Sequence, residues 1–249
     1  MSKQQVATQK KPALPANFQQ QMDQEVAEIQ SRIAAPSGDL IKWKAGQGFI
    51  GPDGNAGDAL TAVILDFVAT NRYFDRPFVA DEPGVPACFA IGVSAKTLVP
   101  SESAPARQAA SCGECPQNEF GSDPKGGKGK ACRNYRLMAL LPATEDPGVV
   151  SEDEAPIQLL QVPPTSIKNF DGYVNTVATK HRLSLVGMVT RIKTDATAQF
   201  SNVGFEIVRQ LTPAEMATYM ARREEGRQRL LQEPDVSQYQ PLKPRSTRR

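Results

Sequence analysis

Residues 59–68 read Ala-Leu-Thr-Ala-Val-Ile-Leu-Asp-Phe-Val, a run rich in β-branched side chains with partial apolar alternation, and a β-sheet core begins there. Working outward, Asp39–Lys44 with Trp43, Arg72-Tyr73-Phe74, Pro77-Phe78-Val79 and Cys88–Gly92 carry the same strand character, as do Arg136–Leu141, Ile157–Val162, Ser184–Lys193 and Val203–Gln210. Proline and glycine turns separate them. After Ile157–Val162, Pro163-Pro164-Thr165-Ser166 supplies a helix N-cap, with Ile167, Phe170, Val174 and Val177 on one face. A helix inserted between the third and fourth long strands of a mainly β (α+β) chain predicts an OB-like five-stranded Greek-key barrel with a loop insertion and flanking helices.

With 249 residues and 40% hydrophobic content the chain can bury one sizeable core, while 20 prolines and 18 glycines assign much of it to turns and tails. Residues 1–15 (MSKQQVATQKKPALP) read as a disordered arm. Phe18, Met22, Val26, Ile29 and Ile33 recur at helical spacing until Ala35-Pro36-Ser37-Gly38. The core spans 16–211. Thr212-Pro213-Ala214-Glu215 then opens a charged helix over 212–232, whose arginine surplus predicts a solvent-facing or partner-binding role. Residues 233–249 read as a basic disordered tail ending in Lys243, Arg245, Arg248 and Arg249. No apolar run reaches 18 residues and no basic-then-apolar leader opens the chain, so neither a membrane nor export is expected, and the cytoplasm is.

All four cysteines fall within 45 positions: Cys88, then 23 residues, Cys112-Gly-Glu-Cys115, then 16 residues, then Cys132. Two sulfurs of a Cys-x-x-Cys turn approach one ion together, and two further thiolates complete the tetrahedron zinc prefers, at about 2.3 Å per bond. A structural zinc is therefore expected on these four residues, in an insertion over about 86–135, where some forty residues without regular structure need something besides a core to order them. The alternative, disulfides or inert thiols, needs an oxidising compartment or simple burial. Cys88 lies on a strand-like segment and is the ligand for which His181 or Asp123 could substitute.

The combination Pro86-Ala87-Cys88, Cys112-Gly-Glu-Cys115-Pro116-Gln-Asn-Glu-Phe120-Gly121-Ser122, Gly127-Lys128-Gly129-Lys130-Ala131-Cys132-Arg133, Val162-Pro163-Pro164-Thr165-Ser166 and Phe170-Asp171-Gly172-Tyr173 resembles a family of zinc-containing single-stranded DNA-binding proteins of tailed bacteriophages, over roughly residues 83–195. The resemblance implies an OB-like fold with a zinc-bearing insertion, all four cysteines as ligands, a place in phage DNA replication or recombination in the host cytoplasm, and replisome or recombination proteins as further partners. Phage helix-destabilising proteins of similar plan usually end in an acidic tail, whereas this chain ends Lys-Pro-Arg-Ser-Thr-Arg-Arg.

The formal net charge is only +2, but Gly121–Arg136 holds Lys125, Lys128, Lys130, Arg133 and Arg136 against one acid, Asp123. Glycines 126, 127 and 129 let backbone amides and ammonium groups reach phosphates together; a soluble, mobile loop is the plainer reading. Arg133, Tyr135 and Arg136 continue that basic strip; candidate base-stacking aromatics are Trp43 between Lys42 and Lys44, Tyr73 beside Arg72, and Phe170 and Tyr173 near Lys168, with burial in a core as the plainer reading. The lone His181 between Lys180 and Arg182 and the absence of a deaminase-type ligand pattern argue against an enzyme. The expectation is sequence-tolerant binding of single-stranded DNA; the alternative is a zinc-stabilised adaptor for a replication or transcription protein.

Overall fold

The stretch at 59–68 continues unbroken to residue 73 as β4 (Ala59–Tyr73), the strand around which the sheet is laid. Its apolar run is nearly continuous because both of its faces are covered. Ala62, Ile64 and Phe67 point into one cluster with Met138, Leu160, Phe170 and Ile192. Val63, Leu65 and Val68 enter another with Leu137, Ala139, Tyr219 and Leu230. A register shift between Ile64 and Asp66 marks a bulge, which lets Ile64 and Phe67, three positions apart, serve the same face.

The computed structural model describes residues 40–44, 46–52, 54–76, 84–148, 155–195, 197 and 201–240, all within one unit spanning Gly38–Arg249. The expected arm at 1–15, the amphipathic helix before Ala35, the strand Pro77-Phe78-Val79 and the end of the basic tail lie outside the described residues. The other described strands are β1 (Leu40–Lys44), β2 (Gly48–Ile50), β3 (Ala56–Gly57), β5 (Cys88–Gly92), β6 (Cys132–Pro142), β7 (Gln158–Val162), β8 (Met188–Thr194) and β9 (Val203–Gln210). The nine form one sheet in the order β3-β2-β1-β7-β6-β4-β8-β9, with β5 also on β4. β6 pairs along nearly the whole of β4, while β8 and β5 divide its other edge, β8 at Ala59–Val63 and β5 at Ala69–Tyr73.

The architecture is mainly β with helices, a curled mixed half-barrel in place of a closed five-stranded barrel. Among the described residues no ladder joins β9 to β7, whose free edge is taken instead by β1 running parallel, Leu40 opposite Leu159 and Ile41 opposite Leu160. The five strands β7-β6-β4-β8-β9 are adjacent and antiparallel.

Helix α1 (Ile167–Thr176) starts where the Pro-Pro-Thr-Ser turn predicts and buries Phe170 and Tyr173 on the sheet. Ser166 stands at its N-cap but does not cap it; the hydroxyl accepts the Val203 backbone N–H at 2.8 Å and ties the helix start to β9. The segment expected as one charged, solvent-facing helix is two, α2 (Pro213–Ala221), opened by a Thr212–Glu215 capping box, and α3 (Arg223–Leu230). Both pack on the sheet through Tyr219 and Leu230, while Arg223 and Arg227 are exposed and the half-buried Arg222 and Arg229 donate to the carbonyls of Ala155 and Ile157. Gly226 permits the close approach: an added Cβ would stand 3.1 Å from Leu65 and 3.2 Å from Ala139.

The chain after α3 departs from the expected disordered tail as far as residue 240. Glu233 accepts from the hydroxyls of Ser101 and Ser103, Val236 packs on Phe89 and Ala104, and the Tyr239 hydroxyl donates to Asp75 at 2.7 Å. Among the described residues no helix is long and apolar enough to cross a membrane.

Candidate metal centre and nucleic-acid interface

Tyr73 at the end of β4 pairs with Cys88 of β5 on one side and Cys132 of β6 on the other. Cross-strand partners share a face, so the two cysteines flank Tyr73 in one row. The irregular 93–131 segment, interrupted by a short 3-10 turn at Pro116–Asn118, carries Cys112 and Cys115 over that row. It is held there by the Cys112 N–H on the Leu98 carbonyl at 3.0 Å and the Ala106 N–H on the Ala87 carbonyl at 2.7 Å. All four thiols are buried and free of disulfides. They line one cavity of about 10 Å³ together with Asn71, Tyr73, Gln108 and Asn118.

Burial pushes the Cys88 and Cys112 thiols up, with neighbouring thiols adding to it, while the Gln108 backbone and the Asn71 side chain hydrogen-bond to Cys88 and Cys112 respectively and oppose it. Cys132 is pushed up to about 12, by burial first and then by Cys112, Cys115 and Cys88. Three asparagines that sequence reading missed form a layer behind the sulfurs. Asn134 donates to the side-chain oxygens of Asn71 at 2.7 Å and Asn118 at 3.0 Å, and Asn118 donates to the Cys112 carbonyl at 2.7 Å. Asn118 and Asn134 lie within three residues of a cysteine, whereas Asn71 is 17 residues before Cys88, and no periodicity marks any of them.

The four thiols, a donor type that thiophilic cations take, line one small cavity together with Asn71 and Asn118. Among the described residues no group of three or more Cys, His, Asp or Glu side chains is placed to hold a metal ion. Neither stand-in for Cys88 is placed to replace it. Asp123 is 3.0 Å from Arg133, and His181 is exposed in the helical turn after α1.

The basic rim is anchored to this module. Gly121 and Asp123 both donate to the Gly129 carbonyl, and the Ser122 hydroxyl accepts the Ala131 N–H at 3.0 Å while donating to the Gln117 and Glu119 carbonyls. Lys125 and Lys128 are exposed at the loop's tip, where Gly126 and Gly127 adopt positive φ. Lys130 lies over the ring of Phe120, its ammonium 4.7 Å from the centroid. Phe120 is 81% exposed, and sequence reading noted it only within the cysteine motif.

The reverse face of the same strands holds a second cluster. Arg72 faces Arg133 directly across the β4–β6 ladder, and Thr70 faces Tyr135. Arg133 is paired to Asp123, whereas half-buried Arg72 has no carboxylate partner among the described residues, and burial pulls its guanidinium down from the ordinary value. The Thr70 hydroxyl beside it is buried without a hydrogen bond.

No protein-family model, curated protein or solved structure matches the chain. What it does rests on the chemistry of the module itself.

The remaining candidates fall into two groups. Lys42, Lys44 and Lys168 are exposed, and Arg136 is ion-paired to Asp171 at 3.4 Å. Trp43, Phe170 and Tyr173 are not stacking platforms. Trp43 faces Phe49 and packs on the first core cluster with its indole N–H buried and unpaired. Phe170 is wedged between Phe67 and Phe205, at 4.9 and 5.2 Å between centroids, and Tyr173 hydrogen-bonds Thr190 inside the core. Tyr73 is half-buried, lines the thiol cavity and packs on the cluster of Cys88, Phe89 and Ala104.

Proposed function

We propose that this protein binds single-stranded DNA without sequence preference, through a cysteine module that a structural zinc holds in shape. The observation that carries the reading is Arg72 facing Arg133. Two cations opposite one another on neighbouring strands repel, and a half-buried guanidinium without a partner is unfavourable. A phosphate beside Arg72 supplies the counter-charge that Asp123 already gives Arg133, and the exposed lysines 125 and 128 of the loop that carries Asp123 offer further phosphate contacts. Four buried thiols in one cavity and the resemblance to zinc-containing phage proteins support the metal. The strand order β7-β6-β4-β8-β9 with α1 between β7 and β8 supports an OB-like reading of the half-barrel. The adaptor reading loses one of its two motives, because α2 and α3 spend their apolar faces on the sheet.

Anisotropy titration of labelled single-stranded and duplex oligonucleotides over a range of salt, with metal assayed on the same sample, tests this directly. Arg72→Ala is expected to weaken single-strand binding by about tenfold, as the loss of one charge-assisted contact of roughly 1.5 kcal/mol. Removing Lys125 and Lys128 together is expected to flatten the log–log salt slope by about 1.4, two contacts at about 0.7 each. Wild-type protein that carries zinc yet binds no oligonucleotide at low salt would overturn the proposal.

A further inference from the structure

We infer that Phe120 is the platform on which an unpaired base stacks, so that the tip of the cysteine module selects single strands over duplex; the inference rests on the DNA-binding reading above. A phenylalanine 81% exposed on an otherwise hydrogen-bonded loop contributes nothing to the core. The backbone that carries it is nevertheless held in place. Gly121, next in the chain, takes φ +91 with nothing within 4 Å of an added Cβ, and its N–H is fixed to Gly129 at 2.8 Å.

The ring also carries a cation on one face. The Lys130 ammonium sits 4.7 Å from the centroid and is itself hydrogen-bonded to the Asn118 side-chain oxygen at 3.3 Å. Asn118 in turn donates to the Cys112 carbonyl and accepts from Asn134, so a polar chain runs from the thiol cavity to the aromatic face. A cation on one side of a ring leaves its other side for a partner, and nucleobases suit it because each has a π-face, whatever its sequence. Paired bases in a duplex hide those faces, whereas the phosphates remain reachable in both forms. Cations alone therefore bind either, and Phe120 supplies the discrimination.

The test compares wild type, Phe120→Ala and Phe120→Trp on an oligo-dT strand, on an abasic strand of equal length and on duplex, at fixed salt. Phe120→Ala is expected to bind oligo-dT about tenfold more weakly and to bind the abasic strand and duplex as wild type does. Its salt slope stays unchanged because no phosphate contact is lost. In Phe120→Trp, oligo-dT is expected to quench emission beyond that of Trp43, the single native tryptophan. Wild-type affinity of Phe120→Ala for oligo-dT, with unquenched Phe120→Trp, overturns the inference while leaving the binding reading intact. Failure of wild type to bind any strand overturns the binding reading instead. Equal melting temperatures and metal content in all three proteins exclude a folding defect.

Discussion

Cys132→Ser is expected to arrive without zinc and to melt roughly 10 °C below wild type. Cys132 opens β6 in the row that also holds Tyr73 and Cys88, so it joins the loop thiols to the sheet. Burial first, and then the neighbouring Cys112, Cys115 and Cys88, hold its own thiol up to about 12, so at neutral pH a nearby cation is needed to make it a thiolate. Metal bound to the folded state alone stabilises it by the free energy of binding. A serine there withdraws one ligand and leaves a hydroxyl in a buried site. Losing about 3–5 kcal/mol in a domain of this size lowers the melting temperature by about 2–4 °C per kcal/mol. Metal analysis beside calorimetry checks this, and chelator-treated wild type should approach the same temperature. Wild type that carries no zinc as purified and melts at the same temperature with and without chelator would reduce the four cysteines to ordinary buried thiols.

Much of the fold was legible where short apolar runs end at proline or glycine. Cys88–Gly92 and Val203–Gln210 read from sequence as β5 and β9 with the bounds the structure shows, and Thr212-Pro213 marked the N-cap and first position of α2. What periodicity does not encode is which edge a strand joins. The parallel pairing of β1 on β7 links residues about 120 apart, and it leaves the sheet an open half-barrel where local pattern pointed to closure.

The site divides in the same way. The cysteine spacing led to residues that share a cavity, because a Cys-x-x-Cys turn and two distant thiols are a local and conspicuous signal. Trp43 misled because Lys-Trp-Lys is also the ordinary out-in-out alternation of a strand, with the tryptophan turned to the core. Arg72 and Arg133 were each visible as cations, but their confrontation depends on register across positions 61 apart in the chain. Phe120 was hidden for the opposite reason: an isolated phenylalanine reads as core unless its exposure is known.

Glu215→Gln is expected to destabilise the fold by about 3 kcal/mol at neutral pH and by much less near pH 3. Glu215 is 1% exposed and its carboxylate lies 2.8 Å from Arg209 of β9, itself 14% exposed. The same carboxylate accepts the Thr212 N–H at 2.8 Å, the Thr212 hydroxyl and the Gly148 N–H at 3.1 Å, while Arg209 also donates to the carbonyls of Thr144, Glu145 and Asp146. One residue thus ties α2, β9 and the loop after β6 together. Neutralising it leaves the guanidinium buried without its counter-charge, the case in which breaking an ion pair is most damaging. The Arg209 hydrogen bond first, and the Thr212 and Gly148 bonds after it, hold the Glu215 carboxyl at about 2, against an ordinary value near 4.5. A carboxyl depressed in the folded state contributes its full stability above pH 4.5 and loses it as pH falls from there toward 2. Wild type should therefore weaken across that window while Glu215→Gln changes less, and urea unfolding of both proteins at pH 7 and pH 3 reads the difference. Parallel losses in the two proteins between those pH values would mean that acid sensitivity resides in other carboxylates.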